Sequence, residues 1–455
     1  MAEPRHVAVI DIGKTNAKVV VVDLKAMAEI DARKMPNSAS NDGLYPHHDT
    51  ERLWDFIIAS LAELARKHAI DAISVTTHGA TAALLNERGE LALPILDYEH
   101  DGPDSLTADY DAVRPPFAES GTPRLPVGLN LGAQIFWQSK AFPDQFSAVR
   151  AILPYPQYWA YRLTGVQATE VTSLGCHTDL WNPARRDFST MVDRLGWRHL
   201  MPPLRSASDR LGSILPEIAA RTGLSPLTPV HCGIHDSNAS LLPHILHRKP
   251  PFAVVSTGTW VVAMAVGGAP RGLDPARDTL VNVNALGDPV PSARFMGGRE
   301  YEMLIGNDVS LASDEDIARV LAEKLMLLPS VQQGSGPFPQ RTAEWIAPRN
   351  LKAGERSAIV SFYLALMTAT CLDLIGASGE TIVEGGFADN RLFLDMLAAA
   401  TRRSVLVSAA NATGTSLGAA ELAFSGRACS NVTHRRPSDG DLLASYAETW
   451  RSRIS

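Results

Sequence analysis

Four short polar stretches of this chain combine residue types that hold phosphate or move a proton. DIGKTNAK, residues 11–18, joins two β-branched runs. Its backbone N–H groups, the Gly13 turn, the Thr15 and Asn16 side chains, and Lys14 or Lys18 can hold phosphate oxygens, while Asp11 can anchor a metal ion. STGT, residues 256–259, offers hydroxyls and unhindered N–H groups, the donors a polyphosphate needs. GGFADN, residues 385–390, falls between a predicted strand and a predicted helix, where backbone can approach a nucleotide closely. HCGIHDSNAS, residues 231–240, sets Asp236 after Gly233 in a small, polar setting. A carboxylate there is what a hydrolytic or phosphoryl-transfer site needs to accept or orient the proton of its nucleophile.

Each stretch also has a plainer reading. Residues 11–18 can be a simple hairpin, and Asp236 can do no more than cap a helix that starts at Ser237. Gly13-Lys14-Thr15 looks like the end of a G-x-x-x-x-G-K-[ST] phosphate loop, but the first glycine would fall on Ala8, inside a strand, and strand follows the turn where such a loop needs a helix. His231, Cys232 and His235 are zinc-ligand types, yet no Glu base follows in H-E-x-x-H form and Gly233 weakens the helix that would align them. His78 at a strand end and Asp97 after Pro94 can direct hydroxyl-binding groups at a ligand, or serve as satisfied structural polar residues. Trp137, Tyr158 and Trp159 suit core packing better than a sugar platform.

These residues need elements to position them. Residues 7–10 and 19–22 predict two strands around the first turn, a hairpin. After Thr50, a suitable N-cap, Leu53, Ile57, Leu61 and Leu64 recur at helical spacing, and residues 72–79 read as a buried strand with a polar end. A proline- and glycine-rich excursion over residues 98–132 follows, then a helix that stops at Gly165. Near residue 250 the opening pattern returns, as PFAVVSTGTWVVAMAVGG, so the architecture reads as duplicated, with a boundary at residues 243–250. The second half then predicts a helix at 357–375, a strand at 380–384, a helix at 391–402, a strand at 405–407 and a small-residue helix at 414–424. That alternation implies an α/β fold with a largely parallel sheet.

Composition sets the outer bounds. The 455 residues exceed what one core usually organises, so two domains with a cleft between them are expected. Forty-two Lys and Arg against 49 Asp and Glu give a net charge of −7, which excludes a binder of nucleic-acid backbones. Cys176, Cys232, Cys371 and Cys429 are far apart in sequence and read as reduced thiols. The N-terminal apolar run is too short for a secretory signal, and no stretch approaches 18 uninterrupted apolar residues, so a cytoplasmic protein without a membrane partner is expected.

Taken together, the motifs resemble the FGGY carbohydrate kinases of the actin, Hsp70 and hexokinase superfamily. DIGKTNAK is similar to the family's first phosphate motif and residues 77–100 to its sugar-site strand and hairpin; YRLTG with TEVTS, GIHDSNAS, STGTW, EGGFADN and ATGTSLGAAELA follow in the family's order. The resemblance implies two ribonuclease H-like domains: residues 1–245 for the sugar and the catalytic base, residues 246–435 for the nucleotide, and a tail at 436–455. It implies ATP and Mg²⁺ as cofactors and a small sugar as substrate, and is compatible with a homodimer. By position, Asp236 becomes the catalytic base, and Asp11 and Asp236 the metal side. Gly13, Lys14, Thr15, Asn16 and Lys18 face phosphates, as do Thr257, Gly258 and Thr259, while Gly385, Gly386 and Asn390 face the nucleotide. His78, Gly79, Asp97, His235 and Asp236 face the sugar. Lys14 stands where the family often has Thr and would add a cation beside the γ-phosphate. The STGTW form resembles the rhamnulokinase and fuculokinase branch, pointing to a deoxy-ketose such as L-rhamnulose or L-fuculose. A pentulose or polyol kinase, or a non-catalytic nucleotide-dependent sugar sensor, is the alternative.

Overall fold

The computed structural model describes residues 4–270, 272–306, 310–408, 414–424, 432–435 and 440–454. The chain divides into two compact units: Met1–His247 with Val281–Pro289 and Ala410–Cys429, and Arg248–Leu280 with Val290–Ala409 and Ser430–Ser455.

In the first unit, β1 (His6–Ile12) and β2 (Asn16–Asp23) form the expected antiparallel hairpin, in which Asp11 faces Lys18 across the strands. Alternating burial is absent here because both faces are covered, and Val7, Val9, Val20 and Val22 are as fully buried as Ala8, Ile10, Val19 and Val21. β3 (Ala28–Pro36) extends the sheet on the far side of β2. Helix α1 (Thr50–Ala65) packs Leu53, Ile57, Leu61 and Leu64 into this core. Its N-cap is Asp49, whose carboxylate accepts from Arg52 N, so Thr50 is the first helical residue and not the cap. β4 (Ala72–Thr77) runs parallel to β1, and β5 (Pro229–His231) parallel to β4. A two-residue strand, Ile234–His235, also joins β4, placing His235 opposite Thr77. Helix α2 (Asp236–His247) begins at once, carrying Pro243 inside it.

The second unit repeats the scheme. β6 (Phe252–Thr257) and β7 (Val261–Val266) form a hairpin, β8 (Pro289–Phe295) pairs with β7, and β9 (Glu380–Gly385) runs parallel to β6 as β4 does to β1. β10 (Val405–Ser408) is parallel to β9, while Val432–Arg435 closes the edge antiparallel. Both sheets are therefore mixed and not largely parallel. Hairpins supply the antiparallel half of each, and only strands reached through a helical crossover are parallel.

Helix α3 (Ala353–Leu374) is 22 residues long, with mean hydropathy 1.6 over its most apolar stretch, and most of it is buried in the second unit's core through Ile359, Phe362, Leu364 and Leu366. Helices α4 (Arg391–Thr401) and α5 (Gly440–Ile454) complete that core. The sequence reading made residues 436–455 a tail. Leu443, Tyr446 and Trp450 instead fill the core at helical spacing, and Trp450 Nε1 donates to Leu327 O at 2.8 Å. Cys176, Cys232 and Cys371 are free buried thiols; Cys429, like residues 412 and 413 of ATGTSLGAAELA, lies outside the described residues.

Helix Gly414–Glu421 returns to the first unit and packs on α2. Pro243 has no N–H for the carbonyl of Ala239, four residues before it. Gly418 approaches that carbonyl so closely that a Cβ on it would lie 1.8 Å from Ala239 O and 3.0 Å from Pro243 Cδ. Gly418→Ala should therefore destabilise the first unit by about 1–3 kcal/mol through overpacking, read as a lower thermal midpoint, with Gly418→Val lower still. Midpoints equal to wild type would show that the two helices part without cost.

Candidate active site

In the first unit the hairpin turn is held by backbone. Gly13 N donates to Asn16 O at 2.9 Å, and Asn37 braces the turn from outside, its N donating to Thr15 O at 2.8 Å and its Nδ2 to Gly13 O at 2.7 Å. Thr15 and Asn16 are left exposed at the tip, with Asn16 Nδ2 donating to Thr15 Oγ1. This is the strand-turn-strand geometry that the phosphate-loop reading could not have supplied.

The two lysines of the motif are already engaged. Lys18 is buried along β2, 2.9 Å from Glu29 and 3.7 Å from Asp11. Lys14 leaves the turn in the other direction: its ammonium bonds Asp97 Oδ1, lies 3.2 Å from Glu99 Oε2, and sits 4.7 Å from the centre of the Tyr98 ring. The cation expected beside a γ-phosphate is thus paired with the loop at residues 97–99, which the sequence reading assigned to the sugar. The physical reason is that Asp97 is almost wholly buried and needs a charge partner, which no residue near it in sequence provides.

Asp236 opens α2 and is partly exposed. Its Oδ1 accepts from Ser237 N at 2.6 Å, from Ser237 Oγ at 3.3 Å, and lies 3.2 Å from His235 Nε2; Oδ2 has no protein partner among the described residues. Asp236 is itself the first helical residue and not the cap of a helix that starts at Ser237, and the bond to Ser237 N occupies one oxygen only. Asp11 is near enough to feel Asp236: its carboxyl is pushed up to about 6, chiefly by burial, with Asp236 and Glu29 adding and Lys18 opposing.

Behind Asp236 stands a cluster that the sequence reading did not assemble. His235 Nε2 lies 3.5 Å from Cys176 Sγ, and a Cβ on Gly79 would meet that same nitrogen at 2.7 Å, so only glycine lets the ring lie there. Burial favours neutral forms of both groups. The neighbouring His177 and His235 nonetheless bring the Cys176 thiol down to about 5, and Cys176 and Asp236 bring His235 up to about 9. The backbone of His235 is fixed from the TEVTS stretch: His235 N donates to Thr172 Oγ1 at 3.1 Å, and Thr172 Oγ1 donates to Glu170 Oε2 at 2.5 Å. Glu170, wholly buried, also accepts from Thr172 N and Ser173 N.

His78 ends the β4 segment with Nδ1 donating to Gly79 O at 2.9 Å, leaving Nε2 buried without a partner. Burial lowers its pKa, with Lys14 and His235 lowering it further and Asp236 opposing. His48, also unpartnered at both ring nitrogens, lies 5.2 Å behind it. The zinc ligands considered above do not converge: His231 Nδ1 bonds Ser208 O at 2.8 Å and His235 turns to Cys176. Among the described residues no group of three or more His, Cys, Asp or Glu is arranged to hold a metal.

In the second unit Thr257 clips two of the polar turns together. Its hydroxyl donates to Glu384 O at 2.5 Å and accepts from Phe387 N, while its carbonyl accepts from Gly386 N. Gly385 has φ 83° and lies so near Thr257 O that a Cβ would clash at 2.1 Å. Thr257 thus shapes the turns from within, and Gly258 and Thr259 are the exposed groups left to face a ligand. Asn390 caps α4 through Phe393 N and bonds Ser361 Oγ. Beside it opens a cavity of about 720 Å³, lined in part by Gly386, Asn390, Arg391, Ser361, Phe362 and Leu443. Its mixture of apolar side chains and a few polar groups suits a flat heteroaromatic ligand.

Comparison with known proteins bears on both units. The profile of the FGGY family of carbohydrate kinases, N-terminal domain, matches residues 6–243, and that of carbohydrate kinase FGGY, C-terminal domain, matches residues 249–432. The crystal structure of a carbohydrate kinase from Novosphingobium aromaticivorans is 39% identical with a TM-score of 0.92, covering 100% of this chain and 99% of that one. The L-fuculokinase of Escherichia coli K12 is 26% identical over 277 residues, 57% of this chain and 56% of that protein, so the chain spans little more than half the length of that relative. A xylulose kinase from Rhodospirillum rubrum is 20% identical with a TM-score of 0.77, covering 99% and 98%, a likeness of fold alone.

The support beneath Asp236 carries a pH signature. Burial, only partly offset by its hydrogen bonds, pushes the Glu170 carboxyl from 4.5 up to about 7. The folded chain then holds that proton more tightly than the unfolded chain, so its stabilisation is complete below about pH 4.5 and lost as pH rises through about 7. Glu170→Gln keeps the shape and removes the titration, so its thermal midpoint should fall less than wild type across that window. Parallel midpoint-against-pH curves would show that Glu170 contributes none of the slope.

Proposed function

The chain belongs to the FGGY family of carbohydrate kinases, and we propose that it transfers the γ-phosphoryl group of ATP to a hydroxyl of a small ketose, with a deoxy-ketose such as L-fuculose or L-rhamnulose as the preferred acceptor. The observation that carries this reading is the state of Asp236. One oxygen is held by the two Ser237 donors with His235 Nε2 3.2 Å away, and the other is open, as a base needs if it is to meet an incoming hydroxyl in one orientation.

In this reading the sugar lies against His78, Asp97 and Asp236, and its hydroxyl directs its proton at Asp236 Oδ2. The proton moves to that oxygen as the hydroxyl oxygen bonds to the γ-phosphorus and the bond to the ADP oxygen breaks. His235 holds Oδ1, so that the carboxylate does not rotate away. In the first unit the N–H groups of the turn with Thr15 and Asn16 are the groups offered to phosphate; in the second unit, taken by itself, Gly258 and Thr259 offer N–H groups to phosphate and the cavity beside Gly386 and Asn390 takes the adenine. Asp11, with Asp236 beside it, suits a hard divalent cation, since a buried carboxyl raised by a second carboxylate gains from a positive neighbour. Mg²⁺ bound there would neutralise phosphate charge. Free thiols and the use of ATP support a cytoplasmic reading.

The similarity to L-fuculokinase and the STGTW turn support the deoxy-ketose. A site built for a deoxy sugar offers no partner where the missing hydroxyl would lie, and burying one there costs about 1–3 kcal/mol, roughly 5- to 150-fold in kcat/KM.

Two measurements decide the matter. Asp236→Asn should keep ATP affinity and lose on the order of 10²-fold or more in kcat; unchanged turnover in a coupled ADP assay would overturn the mechanism with Asp236 as its base, and a wild type that binds ATP and sugar without forming ADP would leave a nucleotide-dependent sensor as the better reading. Across a panel of deoxy-ketoses, full ketohexoses, pentuloses and polyols, the highest kcat/KM is expected for a 6-deoxy-ketohexose. Equal or better efficiency with D-xylulose or glycerol would transfer the chain to the pentulose or polyol kinases.

A further inference from the structure

We propose that Lys14 and Asp97 act together as the reader of two neighbouring oxygens on the sugar, so that Lys14, although it stands in the phosphate turn, determines sugar specificity and does not bind phosphate. This rests on the reading of the chain as a sugar kinase with Asp97 on the sugar side.

The first ground is how completely Lys14 is spoken for. Its ammonium contacts Asp97 Oδ1 and Glu99 Oε2 and rests over the Tyr98 ring, so a consecutive Asp-Tyr-Glu segment surrounds it. Two carboxylates already balance its charge. Swinging the ammonium to a triphosphate would strip Asp97, a nearly buried carboxylate, of its only cation among the described residues.

The second ground is what the pair leaves open. Asp97 Oδ1 accepts from both Lys14 Nζ and Glu99 N, the latter at 3.2 Å, while Oδ2 has no protein partner among the described residues. An ammonium has three N–H groups, and two of Lys14's point at carboxylates. One donor therefore stands beside one charged acceptor. That arrangement matches two adjacent sugar oxygens, one hydroxyl donating to Oδ2 while its neighbour accepts from Nζ.

The third ground is where the pair sits. Tyr98, pinned under the ammonium, meets the His78 ring edge to face at 5.4 Å between centres, and His78 Nε2 is a buried acceptor with no partner. Asp236 acts electrostatically on both Tyr98 and His78. Lys14, Asp97, the unpartnered His78 nitrogen and the base thus gather about the same place, and a polyhydroxylated ligand is what would satisfy them all.

The test uses the full chain in steady-state assays with ATP and the best sugar of the panel. Lys14→Met, which keeps the stem and deletes the ammonium, should raise the sugar KM by roughly ten-fold or more, as expected when a buried hydrogen-bonding partner is lost, and leave the ATP KM within about two-fold. Lys14→Arg should recover part of the loss. A sugar analogue lacking one hydroxyl of the pair should be penalised in wild type and much less so in Lys14→Met. Asp97→Asn provides a second route if Lys14→Met fails to fold, and should likewise raise the sugar KM and not the ATP KM. A raised ATP KM with an unchanged sugar KM would make Lys14 a phosphate ligand and overturn the proposal; no change in either would reduce the pair to scaffolding and overturn it too. A wild type that phosphorylates no sugar in the panel removes the kinase reading itself, and this inference with it.

Discussion

A carboxylate stripped of water must find donors for its oxygens, and in the first unit that requirement falls on Glu170. It takes the N–H groups of Thr172 and Ser173 and the Thr172 hydroxyl, and the hydroxyl in turn receives the amide of His235. One buried carboxyl group thereby fixes the residue on which Asp236 depends. His235 is further wedged between Cys176 and a strand end that only glycine can provide, so the base sits on a foundation with no slack.

The same economy recurs in the second unit with different chemistry. There the fixing group is the hydroxyl of Thr257, bonded to both strand-end turns, and the close approach it requires excludes any side chain at Gly385. Each unit thus ends its central parallel strands in polar turns held from beneath. In one the hold is a carboxylate-hydroxyl-amide chain, in the other a single hydroxyl. Repetition of the hairpin with its parallel third strand is a repetition of topology, and the polar support was solved separately in each copy.

Much of this was legible in the sequence because hairpins and helices announce themselves locally. The β-branched runs about DIGKTNAK and STGT, the Gly165 stop and the helix opened by Asn390 all lie where short-range pattern puts them. Three things were not legible, each for the same reason. Lys14 finds its partner 83 positions away, Glu170 acts through a hydroxyl on a residue 63 positions from His235, and Cys176 meets His235 across 59. Side-chain contacts at such separations leave no periodicity to read. Parallel pairing was overestimated because strands alternating with helices also describe a sheet whose other half is hairpin, and the supposed tail concealed a core helix because its apolar residues are sparse.

The first unit is not continuous in the chain: helix Gly414–Glu421 belongs to it, with Leu417, Ala419 and Ala420 in the cluster that also holds Val7, Val9 and Val20. A ribosome therefore exposes the opening hairpin long before it makes the helix that covers it. Domains that fold in order of synthesis do so because each is complete before the next emerges. Here the earlier unit must wait, one apolar face of its first strands only partly covered by Ile234, Ala239 and Leu242, until nearly all of the later one has been made. The interval is a period of exposure for Val7, Val9, Val20 and Val22, a β-branched strand surface, and it makes the newborn protein a natural client of whatever shields such strands in the cell.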